Sequence, residues 1–270
     1  MLFNFQLRPL ADVTPWTSDG QPYLHWFGLT DGWYWMNVET VTLFQYTDEV
    51  LHQWGESETN GPHRSYVDYQ VVRLWEDLLD QLPHILQPIP DNILQRIQPG
   101  YEAVLWRNRV IDHLLPDDTD LDSSAFERFV HATEWLDNRR LDAGHLQAGP
   151  RIWFWNDGGS VYIHWDNRGL EIDGIPVWTA IQGTFTLPIS TFIDEIRSLD
   201  ERLIKAMQER VTVAQNQWPR PDVRVDISIL IREQKERATW LDQTFVGAGQ
   251  LPQTHWDEFI TTYDQWSSFS

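Results

Sequence analysis

The chain has 270 residues, of which 40 are acidic and 20 basic, for a formal net charge of -20; it has no cysteine and sixteen tryptophans. Its length is enough to bury a sizeable core without staples, and the lack of cysteine excludes disulfides, thiolate zinc sites and a cysteine nucleophile. The charge repels nucleic acid, anionic lipid and phosphorylated ligands, and it speeds encounter with a basic partner.

The opening MLFNFQLRPLADV has neither a basic segment before an apolar run nor a small-residue cleavage site. No later run is long and apolar enough to cross a bilayer, so a cytoplasmic protein without membrane contact is expected. Residues 23 to 38, YLHWFGLTDGWYWMNV, read as two aromatic strands in a hairpin around Gly28 to Gly32, with a further short strand from Leu43 to Tyr46. Residues 47 to 65 are polar, and Asn60-Gly61-Pro62 marks a loop. Val67, Val71, Leu74, Leu78 and Leu82 then recur at helical spacing up to Pro83. A second helix opens with Ser124 and Glu127 as a capping box. Its stripe is Phe126, Phe129, Val130, Thr133 and Leu136, and it ends before Gly144.

The densest aromatic stretch is residues 150 to 167, PRIWFWNDGGSVYIHWDN. A two-residue turn at Gly158-Gly159 sets Trp155 opposite Tyr162, Trp153 opposite His164, and Arg151 opposite Asp166 as an ion pair, all on one face. Moving the turn to Asp157-Gly158 keeps those faces. The other face carries Ile152, Phe154, Val161, Ile163 and Trp165, a core-like set. Val177 to Ile181 and Thr184 to Leu187 add two strands around Gln182-Gly183, making a four-stranded antiparallel meander. Ser190 caps a long helix with Phe192, Ile196, Leu199, Leu203, Met207 and Val211 on one face. Another helix follows Pro219 and Pro221, carrying Ile227, Leu230, Ala238, Leu241 and Phe245. Thr254 and Asp257 start a terminal helix with Trp256, Phe259, Ile260 and Tyr263. The expected fold is a single α+β domain over residues 1–270, with antiparallel aromatic hairpins packed against amphipathic helices on one face. The echo between LFQYTDEVL and FTLPISTFIDEI admits two related halves, 1–149 and 150–270.

Several chemistries are missing. Lys205 and Lys235 do not follow glycine, so there is no Walker loop; no His precedes Glu; and no Gly-x-Ser-x-Gly elbow occurs. GAGQLP at 247 to 252 meets Pro252 where a dinucleotide loop needs glycine. Asp118, Asp120 and Asp122 alternate like the start of a calcium loop, yet Ser123 and Phe129 stand at its glycine and glutamate positions. No metal, cofactor or catalytic residue is therefore assigned. His164 with Asp166 reads either as a base with its orienting acid or as a structural hydrogen bond, and His25 as a satisfied sheet histidine. The candidate binding residues are Trp153, Trp155, Tyr162, His164, Arg151 and Asp166, as a recognition face or as a face covered by helices. Glu56 and Glu58 join them as rim acids, because the first sixty residues also hold Asp12, Asp19, Asp31, Glu39, Asp48 and Glu49 against Arg8 alone.

On LHWFGLTDGWYW, PRIWFWNDGG, WDNRG, IDGIPVWTA and GTFTLP the chain resembles an uncharacterised bacterial protein family over most of its length. That resemblance implies no established activity and transfers no catalytic residue. In general character the chain also resembles the acidic, single-domain immunity proteins with which bacteria neutralise toxins. The expected function is a binding protein, most concretely an immunity-type inhibitor covering a basic toxin domain. The alternative is a carbohydrate-active or other small-molecule enzyme with a Trp-lined pocket, since indole faces stack on sugars.

Overall fold

A computed structural model describes residues 1–55, 64–115, 123–251 and 253–269. In chain order these form β1 (Phe3–Leu7), β2 (Trp16–Ser18), β3 (Gln21–Leu24), β4 (Asp31–Val38), β5 (Val41–Leu43), α1 (Asp48–Trp54), β6 (Val67–Gln70), α2 (Val71–Leu86) and α3 (Asp91–Leu94). There follow α4 (Tyr101–Leu114), α5 (Ser123–Thr133), β7 (Ile152–Asn156), β8 (Ser160–Asp166), β9 (Glu171–Ile172), β10 (Ile175–Pro176) and β11 (Gln182–Pro188). The last elements are α6 (Ile189–Gln217), β12 (Arg224–Val225), α7 (Ile227–Arg237), α8 (Trp240–Ala248) and α9 (Trp256–Trp266). The fold is α+β, and its contacts divide the chain into two compact units, each assembled from three separated segments.

The first unit comprises residues 1–80, 169–180 and 190–246. Its main sheet is centred on β4, which pairs antiparallel with β1, β5 and β6. β1 and β4 approach closely at Gly32, where a Cβ would run into the carbonyl of Gln6. The long helix α6 buries Phe192, Ile196, Leu199, Leu203, Met207 and Val211, the stripe expected from its spacing. The hairpin expected over Tyr23 to Val38 does not form. β3 pairs instead with β2 and, in parallel, with β12. The cause is local: Leu29 N–H donates to His25 O and Thr30 N–H to Phe27 O, which winds the intervening residues into a 3-10 turn. Trp26 is drawn inward, its Nε1 donating to Gln234 Oε1 at 2.8 Å. The helix expected from Val67 also begins later. Val67–Gln70 is a strand on β4, and α2 then passes through Pro83 to Leu86. The helix expected after Pro219 and Pro221 is two, α7 and α8. Asp226 caps α7 by accepting from Ile229 N–H.

The second unit comprises residues 81–168, 181–189 and 247–270. Its sheet is three-stranded and antiparallel, in the order β11-β8-β7, not a four-stranded meander. Residues 182–188 are one continuous strand. Val177 and Thr179, expected in a strand of their own, give their N–H groups to Leu170 O and Gln45 O in the first unit. Helices α3, α4, α5 and α9 supply Ile93, Trp106, Val110, Phe129 and Phe259 to a core that also holds Trp135 and, from β7, Trp153 and Trp155.

Candidate functional site

The β7–β8 hairpin turns on Asp157-Gly158-Gly159-Ser160, with Gly158 at φ +101° and Asp157 N–H donating to Ser160 O. The Asp157 carboxylate accepts from Ser160 N at 2.9 Å, Gly159 N at 3.0 Å and Tyr162 Oη at 2.7 Å. Those bonds, the one from Ser160 first, hold its pKa below the usual carboxylate range. The turn is thereby fixed, and with it the register: Trp153 lies opposite His164 and Trp155 opposite Tyr162, the latter rings stacked at 5.4 Å. Asp166 N–H donates to Arg151 O, which continues the same alternation. On the other face Ile152, Phe154, Val161, Ile163 and Trp165 are all buried.

For Trp153 and Trp155 the face is the helix-covered one of its two readings, and the ion pair expected on it needs correction. Trp153 and Trp155 are 0% and 3% exposed, so they do not present a recognition surface. The amphipathic helices that need an apolar partner cover them: Ile93, Trp106, Phe129 and Phe259 belong to the same buried cluster. The ion pair on Asp166 comes from Arg168 rather than Arg151. Arg168 Nη2 lies 2.5 Å from Oδ2 and its Nε 2.9 Å from Oδ1, while its own N–H also donates to Oδ1. A partner two residues on closes that loop without crossing the sheet. Arg151 instead donates to the Arg168 carbonyl and lays its guanidinium over the Tyr101 ring at 3.8 Å.

The β11 side of the face remains open. Tyr162 and His164 are half-buried, and Gln182, Thr184 and Thr186 are exposed. His164, Asp166 and Gln182 line a cleft of about 370 Å³ with Gln98, Tyr101 and Arg109. His164 Nδ1 lies 2.9 Å from Thr184 Oγ1. Its ring rests on Gly100, where a Cβ would stand 3.1 Å from Nε2 and Cδ2. Burial pushes the imidazole pKa down, against the pull of Asp166, so it is neutral near pH 7. No hydrogen bond joins His164 to Asp166, whose carboxylate is held by Arg168. The pair is therefore not arranged as a base with its orienting acid.

Glu56 and Glu58 lie outside the described residues, as do Asp118, Asp120 and Asp122. Among the described residues there is no cluster of three His, Cys, Asp or Glu side chains that could hold a metal, and no helix is long and apolar enough to cross a membrane. One aromatic group escaped the sequence reading. Trp16, 39% exposed, meets Tyr23, His25 and Phe27 on the β2–β3 hairpin. Its signal was Asp19-Gly20, whose residues both adopt positive φ, between flanking aromatics. His25 Nδ1 accepts from Gly28 N–H at 3.2 Å, which fits a locally satisfied histidine.

No curated protein and no solved structure matches the chain. A family model described as a family of unknown function, DUF5984, matches residues 2–261. With nearly its whole length covered, the chain belongs to that family.

Proposed function

We propose that this protein is an acidic inhibitor that neutralises a basic bacterial toxin domain by direct binding in the cytoplasm. The observation that carries the reading is where the arginines point. Arg139 donates to the carbonyls of Trp135 and Gln87, Arg210 to those of Leu29 and Arg8, and Arg220 to those of Ala11 and Val13. Arg202 and Arg109 donate to Phe3 O and Phe269 O. These cations reach the protein's own backbone, Arg220 while also pairing with Asp222 at 3.2 Å, and Arg139, Arg151 and Arg210 are buried. Arg8, Arg73, Arg96, Arg107, Arg168, Arg232 and Arg237 pair with carboxylates, but with 40 acidic residues against 20 basic ones the excess acids leave a negative outward field.

One exposed set of acids is built into the first unit. Thr47 caps α1, and its hydroxyl also donates to Pro176 O at 2.6 Å; Gln53 donates to Asp173 at 2.8 Å. Tyr46 stacks on Trp178 at 4.7 Å. Asp48 and Glu49 are thus brought near Glu171 and Asp173, all four exposed. Such a surface steers and holds a cationic partner.

The test is co-expression with the basic C-terminal domain of a secreted protein encoded beside this gene. Restored growth and a 1:1 complex in gel filtration are expected. A neighbouring domain that stays toxic and unbound in the presence of this protein would overturn the reading.

A further inference from the structure

The two edges of the β11-β8-β7 sheet are treated differently. In β7 the backbone groups that point away from β8 belong to the even-numbered residues, and two of them are closed off. Leu141 N–H donates to Ile152 O and Ile89 N–H to Asn156 O, each at 2.9 Å. In β11 the phase is set by Asn167 N–H on Ile181 O and Ile189 N–H on Gly159 O, so the odd-numbered residues bond to β8. The N–H and C=O groups of Gln182, Thr184 and Thr186 therefore point outward. No backbone partner meets them among the described residues, and all three residues are exposed.

This edge also lacks the usual guards. Native sheets blunt an open edge with charge, a bulge, a very short strand or a cover. β11 is seven residues long, QGTFTLP, without a charged side chain, and it pairs with β8 in unbroken register. Proline comes only at its end, at Pro188. We infer that β11 is a strand-addition site, at which an extended basic segment of a partner protein pairs with the outward backbone of Gln182, Thr184 and Thr186. The inference rests on the inhibitor reading and adds to it a place and a mode of binding. Main-chain bonds supply the affinity in such pairings, and alternate side chains supply the selectivity. A second copy of this chain is disfavoured as the occupant, because each copy carries a net charge of -20.

Amide exchange followed by NMR reads the edge directly. In the free protein the amides of Gln182, Thr184 and Thr186 should exchange roughly 100-fold faster than those of Gly183, Phe185 and Leu187, because only the second set is bonded in the ladder. Saturation with the synthetic peptide (Arg-Val)4 should remove that alternation, and (Glu-Val)4 should leave it in place. Thr184→Pro deletes an outward donor at a position where an edge strand tolerates proline. It should melt like Thr184→Val, which loses the same hydroxyl contact to His164, while weakening both (Arg-Val)4 and the toxin domain at least about tenfold; Thr184→Val should bind normally. If Thr184→Pro does not fold, the wild-type exchange pattern with (Arg-Val)4 decides.

Three results would overturn the site: protected even-numbered amides in a free protein that sediments as a dimer, an alternation that (Arg-Val)4 leaves unchanged, or a folded Thr184→Pro that binds as tightly as the wild type. Growth rescue that survives Thr184→Pro would remove the site and leave the inhibitor reading standing. Peptide seated on β11 without growth rescue would do the reverse.

Discussion

At the scale of single residues, Arg139 shows how the interior accommodates charge. It is fully buried, donates to Trp135 O at 3.1 Å and Gln87 O at 3.3 Å, and lies within 6 Å of the Trp135 and Trp256 rings. Burial brings its pKa down to about 10, so it stays charged at pH 7. Arg139→Ala would leave two carbonyls without their donor and a cavity beside two indoles, and should cost about 3–5 kcal/mol in urea unfolding. Trp153→Ala belongs to the same class. Its ring is buried in the helix-covered face, so the loss should be about 3–5 kcal/mol of stability with no change in partner dissociation. Trp153→Phe should be far milder, because Nε1 has no hydrogen-bond partner among the described residues. Asp200 offers a pH test. Burial raises its pKa to about 6 although Trp75 Nε1 donates to it at 3.0 Å. Because that value lies above the unfolded one, near 3.9, its contribution to stability is complete in acid and disappears as pH rises through 6. Asp200→Asn keeps an acceptor for Trp75 and cannot ionise. Melting curves from pH 4 to pH 8 should show the variant gaining on the wild type as pH rises; parallel curves would mean that Asp200 ionises freely.

At the scale of elements, the hairpin and the helix stripes were legible because each is a local pattern. Strict alternation with an Asp-Gly-Gly turn sets Trp153, Trp155, Tyr162 and His164 on one face, and the α6 stripe follows from spacing alone. What covers a face is not local. Alternation puts Trp153 on the face opposite Ile152, Phe154 and Trp165 without saying whether that face is open or covered; the residues that bury it arrive from α3, α4, α5 and α9. Val67 was misleading for a related reason. Its spacing to Val71 fits a helix, yet Val67–Gln70 pairs with β4, and pairing outweighs spacing over one turn. At Gly28 the turn itself is local, but the inward turn of Trp26 that goes with it was hidden, because its partner Gln234 lies more than two hundred residues away. Glycine carries a similar long-range meaning at Gly183, where the Trp165 indole lies across the backbone and a Cβ would overlap it. Gly183→Ala should therefore loosen the β8–β11 pairing and cost about 1–3 kcal/mol by thermal melting. An unchanged melting temperature would show that the indole can swing aside.

At the scale of the whole molecule, twenty uncompensated negative charges act on both stability and association. Raising ionic strength from a few millimolar to about 150 mM shortens the screening length to about 8 Å and should raise the melting temperature of the free protein. The same change should slow association with a basic partner steeply while leaving dissociation nearly untouched, which stopped-flow mixing at several salt concentrations would measure. Salt-independent association would remove electrostatic steering from the account. A guanidinium can reach two carbonyls at once through separate nitrogens, as Arg139 and Arg210 do, and lysine cannot reproduce that fork. Lysine at either position would leave one carbonyl without its donor, so these two arginines are set by the architecture they support. The exposed acids and the guanidinium-braced interior are therefore separable: Asp48 and Glu49 can be replaced without touching the contacts that Arg139 and Arg210 make.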